Sequence, residues 1–179
     1  MAILSIPHTL ILAVALAAAS PALSADIETL PDGMARARIG DLTLYHDPGT
    51  WRIEGEGDAY QVHCVGPECE APLMSIVAVP AELTTCSPGA VIDRSALDYP
   101  HAWTRGAGLA QAVGLTIHVA TLDQGCRNFA GSPVYACTIH RGRAYWFLAP
   151  GEQCHTSRQE SEGLERLLNG LAPADLAGP

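Results

Sequence analysis

The sequence predicts an α+β fold made mostly of antiparallel β-sheet, with a middle helix, a C-terminal amphipathic helix and disulfide bonds. Three observations carry this prediction. Strand-like segments follow one another without a βαβ rhythm, two helical segments interrupt them, and the chain contains 6 cysteines. We expect the C-terminal helix to pack on one face of the sheet, because its apolar residues form a single stripe.

The centre of the sheet is predicted at Val134–Leu148, which reads V-Y-A-C-T-I-H-R-G-R-A-Y-W-F-L. β-Branched and aromatic residues dominate both halves of this segment, as suits a half-buried pleated surface. Alternation places Tyr135 and Cys137 on one face and Thr138 and His140 on the other. A glycine at the junction of the two halves supplies the positive φ of a tight hairpin.

Five further segments alternate between apolar and polar residues and predict strands. They are Leu42–His46, Trp51–Glu54, Tyr60–Cys64, Leu73–Val79 and Leu115–Leu122. Residues 26–39 lack so clear a pattern and are interpreted as a loose lead-in to the first strand. Residues 101–114 hold several glycines and little periodicity, which indicates a surface connection.

Two segments carry helix signals. Ser87 is a plausible N-cap followed by proline, which predicts a helix over Ala90–Leu97 that ends before Pro100. Near the end of the chain, Ser157 and Glu160 form a capping box. The stripe of the helix that follows consists of Leu164, Leu167, Leu168 and Leu171. Residues 173–179 are predicted to fray as a short disordered tail.

Residues 1–25 predict a cleavable signal peptide. They contain no Asp, Glu, Lys or Arg, and small residues follow the apolar run Leu10–Ala19. An apolar core of about ten residues fits a signal peptide and is too short to span a bilayer. The alternative is an uncleaved anchor, because no Lys or Arg precedes the apolar run. We expect cleavage between Ala22 and Asp26 and a periplasmic mature chain without a transmembrane segment.

The mature chain, residues 26–179, is long enough for one domain with one core. It carries the whole formal net charge of −9, and all 10 of its basic residues are arginines. Arginine in place of lysine is typical of a GC-rich genome. An acidic chain with scattered arginines is a poor binder of nucleic acid, so nucleic acid is excluded as a partner.

The even number of cysteines after a signal peptide predicts three disulfides. The cysteines are Cys64, Cys69, Cys86, Cys126, Cys137 and Cys154. A short Gly-Pro loop brings the first two within the usual bridging distance of about 5.5 Å between Cα atoms. The remaining pairs are predicted as Cys126–Cys137, across the Asn128–Pro133 loop, and Cys86–Cys154, between the two helix starts. The alternative is Cys86–Cys126 with Cys137–Cys154.

Motifs for catalysis are missing from the sequence. It has no G-x-S-x-G, H-E-x-x-H, Walker or C-x-x-C motif, which favours a protein that is not an enzyme and needs no cofactor. Histidines on neighbouring strands can hold copper or zinc, and His118, His140 and His63 are the candidates. Their spacing is irregular, so separately solvated histidines and no stoichiometric metal are the expectation.

The segment Tyr45–Ile53, Y-H-D-P-G-T-W-R-I, opens an order of strands, middle helix, hairpin and amphipathic helix. This order resembles photosystem extrinsic P-subunit-like proteins, and the chain also resembles small exported bacterial proteins of unknown function with paired cysteines. The resemblance covers most of the mature chain but includes no diagnostic motif. It implies an accessory or binding role and carries no catalytic residue across.

Two function hypotheses follow. The first is an exported, non-enzymatic accessory or binding protein whose partner is another periplasmic protein or a small ligand. The second is a periplasmic metal-binding or metal-delivery protein that uses histidines. Elemental analysis of the purified protein separates them.

Overall fold

The structure is a computed structural model that describes residues 26–65, 72–98, 104–123, 132–149 and 165–176. Within these ranges the chain forms two antiparallel sheets and one long helix, α1, over Pro88–Asp98. A short 3₁₀ turn, Ala81–Leu83, precedes it. The α+β class with a mainly antiparallel sheet and a middle helix is therefore confirmed. None of the helices in this part of the chain is long and apolar enough to cross a membrane.

The larger sheet has seven strands, and the predicted hairpin lies at its centre. Its order is β4-β5-β6-β10-β9-β8-β7, so the hairpin strands β9 and β10 occupy the middle. The strands are β4 (Trp51–Glu56), β5 (Ala59–Cys64), β6 (Pro72–Pro80), β7 (Thr104–Ala112), β8 (Leu115–Asp123), β9 (Ser132–His140) and β10 (Arg143–Leu148). Arg141 and Gly142 both have positive φ, 49° and 75°. This pair of conformations is that of a two-residue type I′ turn, whose twist matches the flanking strands.

The smaller sheet has four strands in the order β1-β2-β3-β11. They are β1 (Ile27–Thr29), β2 (Ala35–Ile39), β3 (Leu42–His46) and β11 (Leu171–Pro173). The prediction of a loose lead-in over residues 26–39 is therefore wrong. In A-R-A-R-I of β2, the alanines and the isoleucine are buried while the arginines face outward. The alternation of small and charged residues was present in the sequence, but it did not predict a strand because alanine has a weak preference for strands.

Strand β7 corrects the predicted surface connection over residues 101–114. It pairs with β8 over nine successive residues, from Thr104 opposite Asp123 to Ala112 opposite Leu115. Its sequence, T-R-G-A-G-L-A-Q-A, has little strand preference of its own. Backbone pairing with β8 holds β7 in an extended conformation, and β7 forms one edge of the larger sheet.

The two faces of the larger sheet are covered by different elements. Helix α1 contacts β7, β8 and β9 on the face that carries Cys137. On the other face, the Oη of buried Tyr145 accepts a hydrogen bond from the backbone N–H of Asp41, which lies in the β2–β3 turn, at 3.0 Å. The smaller sheet therefore lies over this second face. Apolar residues from both sheets and α1 form one core cluster.

The C-terminal segment is shorter as a helix than predicted. Residues 165–169 are helical in the part that the structure describes, and Gly170 ends the helix. Leu167 and Leu168 are buried as expected, but Leu171 begins β11 and pairs with Leu44. The capping box at Ser157–Glu160 lies outside the described ranges, as does Leu164.

Residues 173–176, predicted to belong to a frayed tail, are held by contacts with the rest of the chain. Pro173 is buried in β11, and the N–H of Ala174 donates to the carbonyl oxygen of Asp41 at 2.9 Å. The Arg141 guanidinium forms an ion pair of 2.9 Å with Asp175. These contacts fix the chain as far as residue 176, and residues 177–179 lie outside the described ranges.

The disulfide pattern differs from both predicted sets of pairs. Cys86 is bonded to Cys137, with Cα atoms 5.7 Å apart. This bond excludes Cys126–Cys137 and Cys86–Cys154, and it equally excludes the alternative pairs. The reason is the packing of α1 across β9, which brings Cys86, two residues before the helix, onto the middle of the sheet. Cys64 is also disulfide-bonded. Cys69, Cys126 and Cys154 lie outside the described ranges, so the Cys64–Cys69 bridge stays a prediction.

Candidate functional site

The outer face of the smaller sheet carries a polar cleft of about 190 Å³. Strands β1, β2 and β3 contribute its floor, and the segment after β11 closes one side. Its lining consists of Asp26, Glu28, Arg36, Arg38, Thr43 and Ala174. Two of the chain's ten arginines therefore lie in one small cleft, together with two carboxylates.

One arginine and one carboxylate of the cleft form an ion pair with each other. Arg36 lies opposite Glu28 across β1 and β2, and its Nη2 is 2.6 Å from the Glu28 Oε2. This carboxylate accepts a hydrogen bond from Arg36 and raises the pKa of the guanidinium above its ordinary value. Tyr45, opposite Arg36 on β3, also accepts from it. Arg36 and Glu28 thus satisfy each other at one end of the cleft.

The second arginine and carboxylate, Arg38 and Asp26, do not form an ion pair, and we call them the open pair. The backbone N–H of Arg38 donates to the carbonyl oxygen of Asp26 at 3.1 Å, so the two residues oppose each other in the strand register. Yet the Arg38 Nε donates to the backbone oxygen of Gly40 at 3.2 Å. Among the described ion pairs, none joins the Arg38 guanidinium to a carboxylate. Its four terminal N–H groups remain for another partner.

Thr43 lies beside the open guanidinium. It faces Arg38 directly across β2 and β3 and is only 5% exposed. Its hydroxyl makes no hydrogen bond with the residues that the structure describes. A hydroxyl and a planar fork of N–H groups on the same face form a set of donors suited to an oxyanion.

The histidine candidates do not converge. His118 lies opposite Cys137 and therefore faces α1, whereas His140 belongs to the face of Thr138 and Tyr145 that meets the smaller sheet. His63 lies on β5, which is the third strand away from β9 in the larger sheet, a distance of about 14 Å at ordinary strand spacing. His118 and His140 lie on neighbouring strands, as expected, but on opposite faces of the sheet, because their positions in the register differ by an odd number of residues.

Buried ring nitrogens at two of these histidines lack hydrogen-bond partners. They are Nδ1 of His118 and Nε2 of His140. Each is isolated from the other by the sheet, and no group of three metal-ligating side chains occurs in the ranges described. The geometry therefore gives no support to the metal-binding hypothesis.

His46 is a buried histidine that the sequence did not single out. It is 3% exposed on the inner face of β3, and burial lowers the pKa of its imidazole below 6.5. Above this pH the ring is neutral in the folded and unfolded chains alike. As the pH falls through 6.5, the unfolded chain takes up a proton first, so the free energy of unfolding decreases until the lower folded pKa is reached.

We predict that His46→Gln flattens this loss of stability. Unfolding by urea, measured between pH 7.5 and pH 5 for each protein, isolates the slope from any constant cost of the substitution. A direct NMR titration of the His46 ring should show the lowered pKa. Equal slopes in the wild type and the variant would contradict the prediction.

Sequence analysis missed the cleft. The signal was the alternation of alanine and arginine over Ala35–Ile39, inside a segment interpreted as a lead-in. Arginine was attributed to codon usage, although two arginines separated by one residue share a face when the segment is a strand. The partners of Arg38 in the cleft, Asp26 and Thr43, come from strands to either side and require the register.

Compared with known protein families, characterised proteins and solved structures, the chain has no match. The resemblance to photosystem extrinsic P-subunit-like proteins and to exported proteins with paired cysteines therefore stays a prediction. The fold and the cleft define this chain as a two-sheet antiparallel protein with a charged surface site.

Proposed function

We propose that this chain is an exported, non-enzymatic binding protein of the periplasm, and that its ligand occupies the cleft on the smaller sheet. The observation that carries this proposal is the open Arg38 guanidinium beside Thr43 in a cleft of about 190 Å³. This volume corresponds to roughly six water molecules at about 30 Å³ each and therefore fits a small ligand.

Binding is favoured over catalysis by the lining of the cleft. Its residues are two arginines, two carboxylates, a threonine and an alanine. Histidine and cysteine, the usual bases and thiol nucleophiles, do not occur among them. No hydrogen bond in the described ranges joins the Thr43 hydroxyl to either carboxylate of the cleft, so it serves as a hydrogen-bonding group and not as an activated nucleophile.

Export is supported by the apolar segment within residues 1–25 and by the disulfides. Cys86–Cys137 and the bonded Cys64 suit an oxidising compartment. We predict that the protein isolated from the periplasm has lost its first 22 to 25 residues, as cleavage between Ala22 and Asp26 requires. Intact-mass measurement decides this, and a mass that retains Met1 would show that the segment is an anchor.

The binding proposal is tested with a panel of small organic anions, cations and zwitterions. Backbone amide shifts in β1, β2 and β3 are followed by NMR, and Arg38→Gln is compared with Arg52→Gln. Arg52 is a matched control because it is an exposed arginine paired with Glu54 on the larger sheet. The proposal requires a saturable shift that Arg38→Gln moves to higher ligand concentration and Arg52→Gln leaves unchanged. A panel without such a compound overturns it.

A further inference from the structure

The open charges of the cleft have a definite arrangement. The Arg38 guanidinium bends toward Gly40 and lies beside Thr43. Asp26, the residue before β1, lies opposite Arg38 on the side of β2 away from Thr43, and the side chains of Asp26 and Arg38 share the outer face of the sheet. A cation and an anion thus stand on neighbouring strands without forming an ion pair.

Building on the proposed function, we propose that the cleft takes a small zwitterion with an ammonium and a carboxylate, in the class of the free α-amino acids. The carboxylate accepts hydrogen bonds from the terminal N–H groups of Arg38 and from the Thr43 hydroxyl. The ammonium lies against the carboxylate of Asp26. Arg36 and Glu28 already satisfy each other and form one wall of the cleft.

The charge balance of the cleft favours a zwitterion over a simple anion. Two arginine and two carboxylate side chains line it, and the Arg36–Glu28 ion pair leaves one side-chain charge of each sign without a partner. A phosphate dianion would gain Arg38 but would approach two carboxylates on a chain of net charge −9. A zwitterion meets both open charges and brings no net charge of its own.

The size and exposure of the cleft set the strength of binding. A volume of about 190 Å³ accommodates a small amino acid and is below the range of pockets for drug-sized ligands, about 300–1,000 Å³. Asp26 and Arg38 are exposed, so each ion pair with the ligand is screened by water and contributes little. We therefore expect an affinity in the millimolar range, which NMR titration measures directly.

Glycine is the first probe, with acetate and methylammonium as its two halves and inorganic phosphate as the competing anion. Glycine should shift the amides of Arg38, Gly40 and Thr43 saturably. Acetate and methylammonium should each bind about fivefold more weakly than glycine, because each lacks one exposed ion pair with the cleft.

Arg38→Gln and Asp26→Asn should each weaken glycine binding by about the same factor. Thr43→Val should weaken it too, whereas Arg52→Gln should leave it unchanged. Intact mass confirms that all variants begin at the same residue.

The outcomes separate this inference from the function on which it rests. If acetate or phosphate binds as tightly as glycine and Asp26→Asn has no effect, the cleft binds anions, and only the zwitterion inference is overturned. If Arg38→Gln leaves the binding of every probe unchanged, the ligand does not occupy the cleft, and the inference is overturned together with the placement of the site.

Discussion

Replacing Cys86 and Cys137 together by alanine is expected to lower the free energy of unfolding by about 3–4 kcal/mol. The bridge joins residues 51 positions apart and closes a long loop in the unfolded chain. Loop-closure entropy therefore restricts the unfolded chain more than a bridge between near neighbours would. Cys137 is fully buried, so the loss of its sulfur adds a small packing cost.

The bridge also has a structural consequence. It joins Cys86, two residues before α1, to the middle of the larger sheet, where Cys137 is flanked by His118 on β8 and Trp146 on β10. Within α1, Val91 and Ser95 are the buried residues that face the sheet. The N-terminal end of α1 should therefore lose most of its protection from amide exchange when the bridge is removed.

Chemical denaturation under oxidising conditions measures the stability difference, and reduction provides the control. Fully reduced wild type and fully reduced variant lack every crosslink, so their stabilities should differ only by the packing cost. A difference under oxidising conditions below about 1 kcal/mol would contradict the entropic argument. A difference that persists unchanged after reduction would show that packing, and not the crosslink, is responsible.

The sequence was most informative where the local pattern and the tertiary environment agree. The hairpin of β9 and β10 combined strand-forming residues with a glycine turn, and it lies at the centre of the larger sheet. Helix α1 was expected from Ser87 and Pro88, and the Ser87 Oγ accepts a hydrogen bond from the N–H of Ala90 at 3.2 Å. In these elements, short-range chemistry alone selects the structure.

The elements that were missed depend on their neighbours. The Ala-rich β2 and the Gly-rich β7 have weak strand preferences of their own, and each is held by pairing with an adjacent strand. The Cys86–Cys137 bond and the open Arg38–Asp26 pair have the same origin. Each joins residues whose proximity follows from strand register or helix packing, and neither is encoded in local spacing.

The β2–β3 turn of the smaller sheet contacts Tyr145 of the larger sheet. Gly40 there has a φ of +59°, and a Cβ added to it would lie 2.9 Å from the Oη of Tyr145. The same hydroxyl accepts the N–H of Asp41 at 3.0 Å, and the Tyr145 side chain is fully buried. The turn therefore packs directly against a buried ring.

Gly40→Ala is expected to lower the free energy of unfolding by about 2–3 kcal/mol, as the sum of left-handed backbone strain and overpacking. Gly33→Ala is the matched control, since Gly33 has a φ of +84° and nothing lies within 4 Å of the added Cβ. Its cost should be about 1 kcal/mol, the backbone contribution alone.

Tyr145→Phe removes the oxygen that obstructs the methyl group but also the acceptor of the Asp41 N–H, at a cost of about 1 kcal/mol. In a double-mutant cycle measured by urea unfolding, Gly40→Ala should therefore cost less in the Tyr145→Phe background than in the wild type. Additive costs in this cycle would show that the turn and the ring do not restrain each other.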